Sequence, residues 1–223
     1  MELKSIAVFC GSKHGNNNLF AQHATQLGNL MAENNVCLIY GGGNNGLMGC
    51  VANGVLEKGG RVIGIIPELL SNWERQHDGI TELIVVENMH VRKRMLYEKA
   101  DAAVILPGGF GTLDELFEIL TWNQLSIHDK PVYILNSGGF YDALLQHMQV
   151  MMQENFLYNP LDKVATVIKS PAEMFSKSYS YLLLLLPWNK GILNPAFITG
   201  NKLLYWSVYG EFLFCNTSTD IEK

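Results

Sequence analysis

Short apolar runs alternate along this chain with segments whose apolar residues recur every three or four positions, and glycine-rich turns separate the two. The short runs predict strands at 6–10, 36–40, 62–66, 83–86, 102–106, 132–135 and 164–168. The periodic segments predict helices at 19–31, 47–58, 89–100, 111–125 and 141–154. Residues 67–79 carry polar side chains, a tryptophan and little periodicity, which predicts a loop over the site. Continuous apolar strands alternating with helices indicate an α/β fold, a doubly wound parallel sheet with helices on both faces. In such sheets ligands bind beyond the C-terminal ends of the strands. After residue 176 the rhythm stops. Residues 177–223 are rich in leucine and aromatics and fit neither a helical period nor clean strand alternation. The expected organisation is therefore one domain over 1–176 and an atypical tail over 177–223. That tail packs on the domain, mediates association, or is poorly ordered.

Composition narrows the class. The 223 residues suffice for one well-buried α/β domain and fall short of two ordinary ones. A formal net charge of −5 argues against a nucleic-acid binder but leaves room for a local basic pocket. Cys10, Cys37, Cys50 and Cys215 form no C-x-x-C pair, and three of them lie in or beside apolar runs. Reduced, buried thiols and a cytoplasmic location are expected. No metal-ligand spacing appears among Cys and His. The start of the chain shows no basic region followed by a signal-peptide core. The five leucines at 182–186 are cut short by Pro187, too few to span a bilayer, so no membrane partner is expected.

Three segments carry candidate chemistry. Pro107-Gly108-Gly109-Phe110-Gly111-Thr112-Leu113-Asp114-Glu115 joins a predicted strand to a predicted helix. Such a turn suits a phosphate, because glycines let the backbone approach and a helix start offers unpaired N–H groups at a positive dipole end. Asp114 and Glu115 follow at once, beside the place where a phosphate would lie. The competing structural reading is a capping box, with Thr112 as cap and Glu115 three residues on. Gly41-Gly42-Gly43-Asn44-Asn45-Gly46-Leu47-Met48-Gly49 is a second glycine-rich strand-to-helix turn. It is neither a Walker A loop nor a dinucleotide fingerprint. It serves either as a backbone cradle for phosphate or ribose, or as a tight turn with close packing by Gly46 and Gly49. Met89-His90-Val91-Arg92-Lys93-Arg94 opens a third helix. Neighbours on a helix differ by about 100°, so at most one or two of these cations face a site. Arg92 is the candidate, since its planar fork suits carboxylate or phosphate; a solvated basic face is the alternative.

In this order and together, these three motifs resemble the LOG ("Lonely guy") family of cytokinin riboside 5′-monophosphate phosphoribohydrolases, long mislabelled as lysine decarboxylases. The resemblance covers roughly residues 4–175. It implies a Rossmann-like fold, usually a homodimer, and hydrolysis of the N-glycosidic bond of a purine nucleoside 5′-monophosphate to free base and ribose 5-phosphate, with no metal or redox cofactor. The family's catalytic pair maps onto Arg92 and Glu115. Its substrate contacts map onto Lys93, the turn Gly109, Phe110, Gly111, Thr112, Leu113, Asp114 and Glu115, and Thr121; Gly41, Gly42 and Gly43 are added as backbone contacts on the cradle reading of their turn. An acid in the loop after the third strand falls at Glu74, with Asp78 a nearby alternative. Phe110 stands where tyrosine is frequent and Asp114 where glutamate is frequent. The tail has no counterpart. The same glycine turns also resemble molybdenum cofactor carrier proteins, which hold a phosphorylated pterin without cleaving it. An acid at the sugar argues for hydrolysis, since a carrier needs none.

Overall fold

The computed structural model describes residues 3–71 and 76–176, and the backbone of 193–199, 202–207 and 212–216. The chain divides into two compact units, Met1–Ser176 and Lys177–Lys223.

In the first unit, seven strands form one parallel sheet: β1 (Ser5–Phe9), β2 (Cys37–Tyr40), β3 (Val62–Pro67), β4 (Glu82–Val86), β5 (Ala102–Ile105), β6 (Val132–Leu135) and β7 (Thr166–Ile168). Their order across the sheet is β4-β3-β2-β1-β5-β6-β7. The central strands are buried on both faces, as their unbroken apolar runs require. Alternate residues serve opposite cores. Ile6 and Val8 pack with Leu27 and Met31 of α1 (Asn18–Glu33) and with Val51 and Val55 of α2 (Gly46–Glu57). Ala7 and Phe9 pack on the other face with Leu96 of α4 (Met89–Glu98), Leu116 and Ile119 of α5 (Phe110–Gln124) and Met148 of α6 (Asp142–Gln153). Full burial of each such aliphatic side chain contributes about 1.5–3 kcal/mol. The edge strands differ: Glu82 and Val85 of β4, and Thr166 and Val167 of β7, are exposed.

This order has its switch point at β1. The chain runs from β1 to β2 on one side and places β5 on the other, so the crevice lies beyond the C-terminal ends of β1 and β5. Three backbone hydrogen bonds draw the loops at that edge together. Leu106 N donates to Phe9 O at 2.9 Å, Gly11 N to Pro107 O at 3.0 Å, and Leu47 N to Gly11 O at 3.1 Å. Both glycine-rich turns therefore meet at the end of β1.

Three short helices fall where no periodic pattern signalled them: α3 (Glu68–Ser71), inside the segment expected to be a loop, α7 (Leu161–Val164) and α8 (Pro171–Phe175). One turn is too short to show a period. The second unit contains β8 (Leu193–Thr199), β9 (Lys202–Ser207) and β10 (Phe212–Asn216), an antiparallel sheet of order β10-β9-β8. A register shift between Pro195 and Phe197 interrupts the pairing of β8 with β9, so β8 carries no clean period-two signal. Among the described residues, no helix is long and apolar enough to cross a membrane.

Candidate active site at the C-terminal edge of β1 and β5

A cleft of about 300 Å³ opens at the switch point, lined by the ends of β1 and β2, by α4 and by the start of α5. Its charged side chains come from α4 and α5, and its floor from Cys10, Gly11 and Ser12 after β1. A larger open hollow of about 810 Å³ lies at the start of β6 and β7, but no glycine-rich turn lines it. The chemistry gathers at the smaller cleft.

The helix α4 is capped by Asn88, whose side chain accepts from the N–H groups of His90 and Val91, both at 3.0 Å. Arg92 is 8% exposed, against the solvated basic face its two cationic neighbours suggested. Its Nε donates to Ile65 O at 3.1 Å and one terminal nitrogen to Gly41 O at 3.5 Å. A Cβ at Gly41 would collide with that guanidinium, so a side chain there would displace Arg92. Gly42 serves the turn itself, with φ at +80° and its carbonyl accepting from His77 N at 3.1 Å. Gly43 pairs with Gln76 in an isolated bridge. Of the three glycines, only Gly41 reaches the cleft. Cβ atoms at Gly46 and Gly49 would strike the backbone of Lys13 and Asn44. The close-packing reading thus describes most of this turn.

The Pro107 turn is different. Helix α5 begins at Phe110 with Gly109 at its cap position and no capping side chain. The capping-box reading is corrected: Thr112 is the third helical residue, 4% exposed, and its side chain fills the space beside Gly108, where a Cβ would collide with it. Leu113 N is the first amide of the helix to find a carbonyl, Gly109 O at 3.1 Å. The N–H groups of Phe110, Gly111 and Thr112 have no partner among the described residues. Gly109 and Gly111 both have φ outside the left-handed region, and a Cβ at either would meet nothing within 4 Å. Neither backbone shape nor packing among the described residues demands glycine there. The open space lies at three free amides and a helix dipole, as an anion site requires.

Glu115 projects into the same cleft from the second turn of α5. Burial pushes its carboxyl up to about 7, against the opposing pull of Arg92 and Lys93, and Asp114 and Glu118 add to the rise. Cys10 lies close enough that Glu115, after burial, helps push its thiol up. Lys93 is drawn into ion pairs, with Asp114 Oδ2 at 2.6 Å and Glu118 Oε2 at 3.4 Å. Burial pulls its ammonium down, but the hydrogen bond to Asp114 and the two negative charges outweigh it and hold Lys93 above the usual lysine range.

Arg92, Lys93, Gly109, Phe110, Gly111, Thr112, Asp114, Glu115 and Gly41 thus line one cleft. Leu113 turns instead toward the core beneath α5. Thr121 lies farther along α5, outside the cleft lining, and its Oγ1 donates to Phe117 O at 2.7 Å. Asp78 is exposed and outside the lining. Glu74 lies outside the described residues. Cys10, Gly11, Ser12, Met48 and Met89 also line the cleft and were not expected as site residues. Gly11-Ser12 at the end of the first strand was the available signal, and it acquires meaning only once β1 is known to be central.

Set against known proteins, residues 48–178 match a family model described as "Possible lysine decarboxylase". A cytokinin riboside 5′-monophosphate phosphoribohydrolase of Arabidopsis thaliana is 42% identical over 168 residues, 75% of this chain and 78% of the relative. One from Rhodococcoides fascians is 43% identical over 155 residues, 69% of this chain and 78% of the relative. Among solved structures, the molybdenum cofactor binding protein of Rippkaea orientalis superposes with a TM-score of 0.60 at 25% identity, covering 82% of this chain and 99% of that one. The cofactor carrier of Chlamydomonas reinhardtii, at 20% identity and a TM-score of 0.59, shares the fold. With identity above 40% to phosphoribohydrolases from a plant and a bacterium, and with the three motifs converging on one cleft, this chain belongs to the LOG family of cytokinin riboside 5′-monophosphate phosphoribohydrolases.

Proposed function

We propose that this protein hydrolyses the N-glycosidic bond of a purine nucleoside 5′-monophosphate, a cytokinin riboside 5′-monophosphate or AMP, to free base and ribose 5-phosphate. The observation that carries the reading is a carboxyl poised near neutrality, Glu115, one helical turn from three unpartnered amides and opposite a buried arginine. In the reaction the C1′–N bond breaks, its electron pair leaves with the base, water oxygen bonds to C1′, and one water proton ends on the base. Positive charge builds on C1′ and the ring oxygen as the bond breaks. An ionised Glu115 stabilises that charge or takes the proton of the attacking water. The amides of Phe110, Gly111 and Thr112 receive the 5′-phosphate in the space kept open at Gly109 and Gly111. Arg92, held by the carbonyls of Ile65 and Gly41, keeps guanidinium N–H groups for phosphate or for orienting Glu115. Glu74, which the resemblance places among the substrate contacts, is the acid assigned here to protonate the leaving base.

The active form in this reading is a homodimer in the cytoplasm. Thr121 does not line the cleft of its own chain, so a nucleotide contact by Thr121 would come from a second copy. Phe110 is 93% exposed at the rim of the cleft. Cys10, Cys37 and Cys50 are free thiols, as a reducing compartment would keep them. Residues 1–176 form the catalytic domain and 177–223 an appendage to it.

The deciding experiment incubates purified protein with AMP and with isopentenyladenosine monophosphate and measures free base and ribose 5-phosphate by mass spectrometry. Release of both products, lost in Glu115→Gln, supports the reading, and the ratio of rates selects the base. Nucleotide binding without release replaces it with a carrier of the kind the structural relatives represent.

A further inference from the structure

The three guanidinium nitrogens of Arg92 are held in different ways. Nε and Nη2 donate to the backbone carbonyls of Ile65 and Gly41. Nη1 rests against a sulfur, Met89 Sδ at 3.9 Å, and among the described residues it has no oxygen partner. Met89 is the first residue of α4 and stands three positions before Arg92, so the two side chains share one face of the helix. A thioether is a weak acceptor, which steadies Nη1 yet yields it to an arriving anion. Met89 lines the cleft and is partly exposed, whereas Met48, the other cleft methionine, is buried.

Resting on the glycosidase reading of the cleft, we propose that Met89 is a site of reversible oxidation that governs Arg92. As the thioether it leaves Nη1 to the nucleotide; as the sulfoxide it captures Nη1 and slows hydrolysis. The oxidant is a peroxide. A sulfur lone pair attacks one peroxide oxygen, and the O–O bond breaks as the S–O bond forms. The departing hydroxide takes up the remaining proton and leaves as water, so sulfur is oxidised and the peroxide reduced. A dithiol reductant reverses the change, removing the oxygen as water and closing to a disulfide. The geometry suits the product. An S–O bond of about 1.5 Å and a hydrogen bond of about 2.9 Å, meeting at about 120°, together span about 3.9 Å. Sδ and Nη1 already stand that far apart, so neither has to move. The sulfoxide oxygen is polar and its donor is a cation, which makes the new bond much stronger than the one it replaces. Met95, Met151, Met152 and Met174 are also partly exposed but lie outside the cleft lining, so their oxidation does not reach Arg92.

The test treats the full-length protein with dilute hydrogen peroxide and then with dithiothreitol, which returns reversibly oxidised thiols such as Cys10 to the reduced state. Peptide mass spectrometry locates the oxidised methionines, and each protein is compared with its own untreated sample. Wild type is expected to gain one oxygen at Met89 and to lose kcat/KM for AMP in step with the oxidised fraction, reaching about tenfold or more. Methionine sulfoxide reductase should remove the oxygen and restore the rate. Met89→Leu keeps the apolar bulk without the sulfur, and should stay within about twofold of its own untreated rate. The guanidinium protons of Arg92, assigned by NMR from their loss in Arg92→Lys, should exchange with water more slowly in oxidised wild type and not in treated Met89→Leu. Wild type fully oxidised at Met89 but unchanged in rate and in exchange would overturn the proposal. So would an equal loss of rate in Met89→Leu, or a loss in wild type with Met89 still reduced. Failure of untreated wild type to release base would refute the glycosidase reading alone, because proton exchange reads the capture of Arg92 without turnover.

Discussion

Replacing Glu115 by glutamine should abolish turnover and, above neutral pH, stabilise the protein. A carboxyl raised from 4.5 to about 7 by folding binds its proton more tightly in the folded chain than in the unfolded one. Below pH 4.5 both states are protonated and nothing is lost. As pH climbs from 4.5 to 7, the unfolded chain releases the proton first, so stability falls; above 7 the full penalty stands. At about 1.4 kcal/mol for each pH unit between the two values, the penalty at pH 8.5 is about 3 kcal/mol. Glutamine keeps the shape and carries no charge, so Glu115→Gln escapes it. Urea unfolding of wild type and variant should show a gain of about 3 kcal/mol at pH 8.5 that shrinks below about 1 kcal/mol at pH 5. A gain of the same size at both pH values, or none at pH 8.5, would refute the view that burial strains the carboxylate. The cause of that strain is the proposed function: a carboxylate removed from water stabilises an adjacent cation more strongly.

The same cleft yields further expectations. In the wild type, kcat/KM should rise through a midpoint near 7 as Glu115 ionises, and a profile flat from pH 6 to 8 would remove Glu115 from the reacting atoms. Gly111→Ala should leave thermal stability unchanged or slightly raised, since a Cβ there meets nothing, yet weaken nucleotide binding about tenfold or more by calorimetry. Gly108→Ala should do the reverse in part, costing about 1–3 kcal/mol in urea unfolding because its Cβ collides with Thr112. Arg92→Lys should lower kcat/KM about a hundredfold or more, because an ammonium cannot bond Ile65 O and Gly41 O and still present a planar fork to the cleft.

The strand and helix pattern was legible because each central strand is buried on both faces, which leaves an unbroken apolar run, and each long helix buries one stripe. The motifs around Arg92 and Glu115 were legible for a local reason too: a glycine-rich turn and a helix start are properties of neighbouring residues. Two assignments needed the folded chain. The spacing of Thr112 and Glu115 fits a capping box as well as a ligand site, and only the start of α5 at Phe110 decides between them. A lysine in a basic run reads as part of a solvated face, and only the resemblance gave Lys93 a site role, whereas its pairing with Asp114 and Glu118 depends on α4 lying beside α5.

What the sequence by itself determined was the seven strands and five long helices of the first unit and the residue types able to hold a phosphate and meet a sugar, since both follow from local pattern. The tertiary structure alone decided that β1 is central and that Cys10, Gly11 and Ser12 therefore floor the cleft. It also decided that Gly41 yields space to Arg92 while Gly109 and Gly111 yield it to nothing among the described residues, and that Glu115 is desolvated enough to titrate near neutrality. Strand order, free space and desolvation are sums over residues distant in sequence, and no local pattern encodes them.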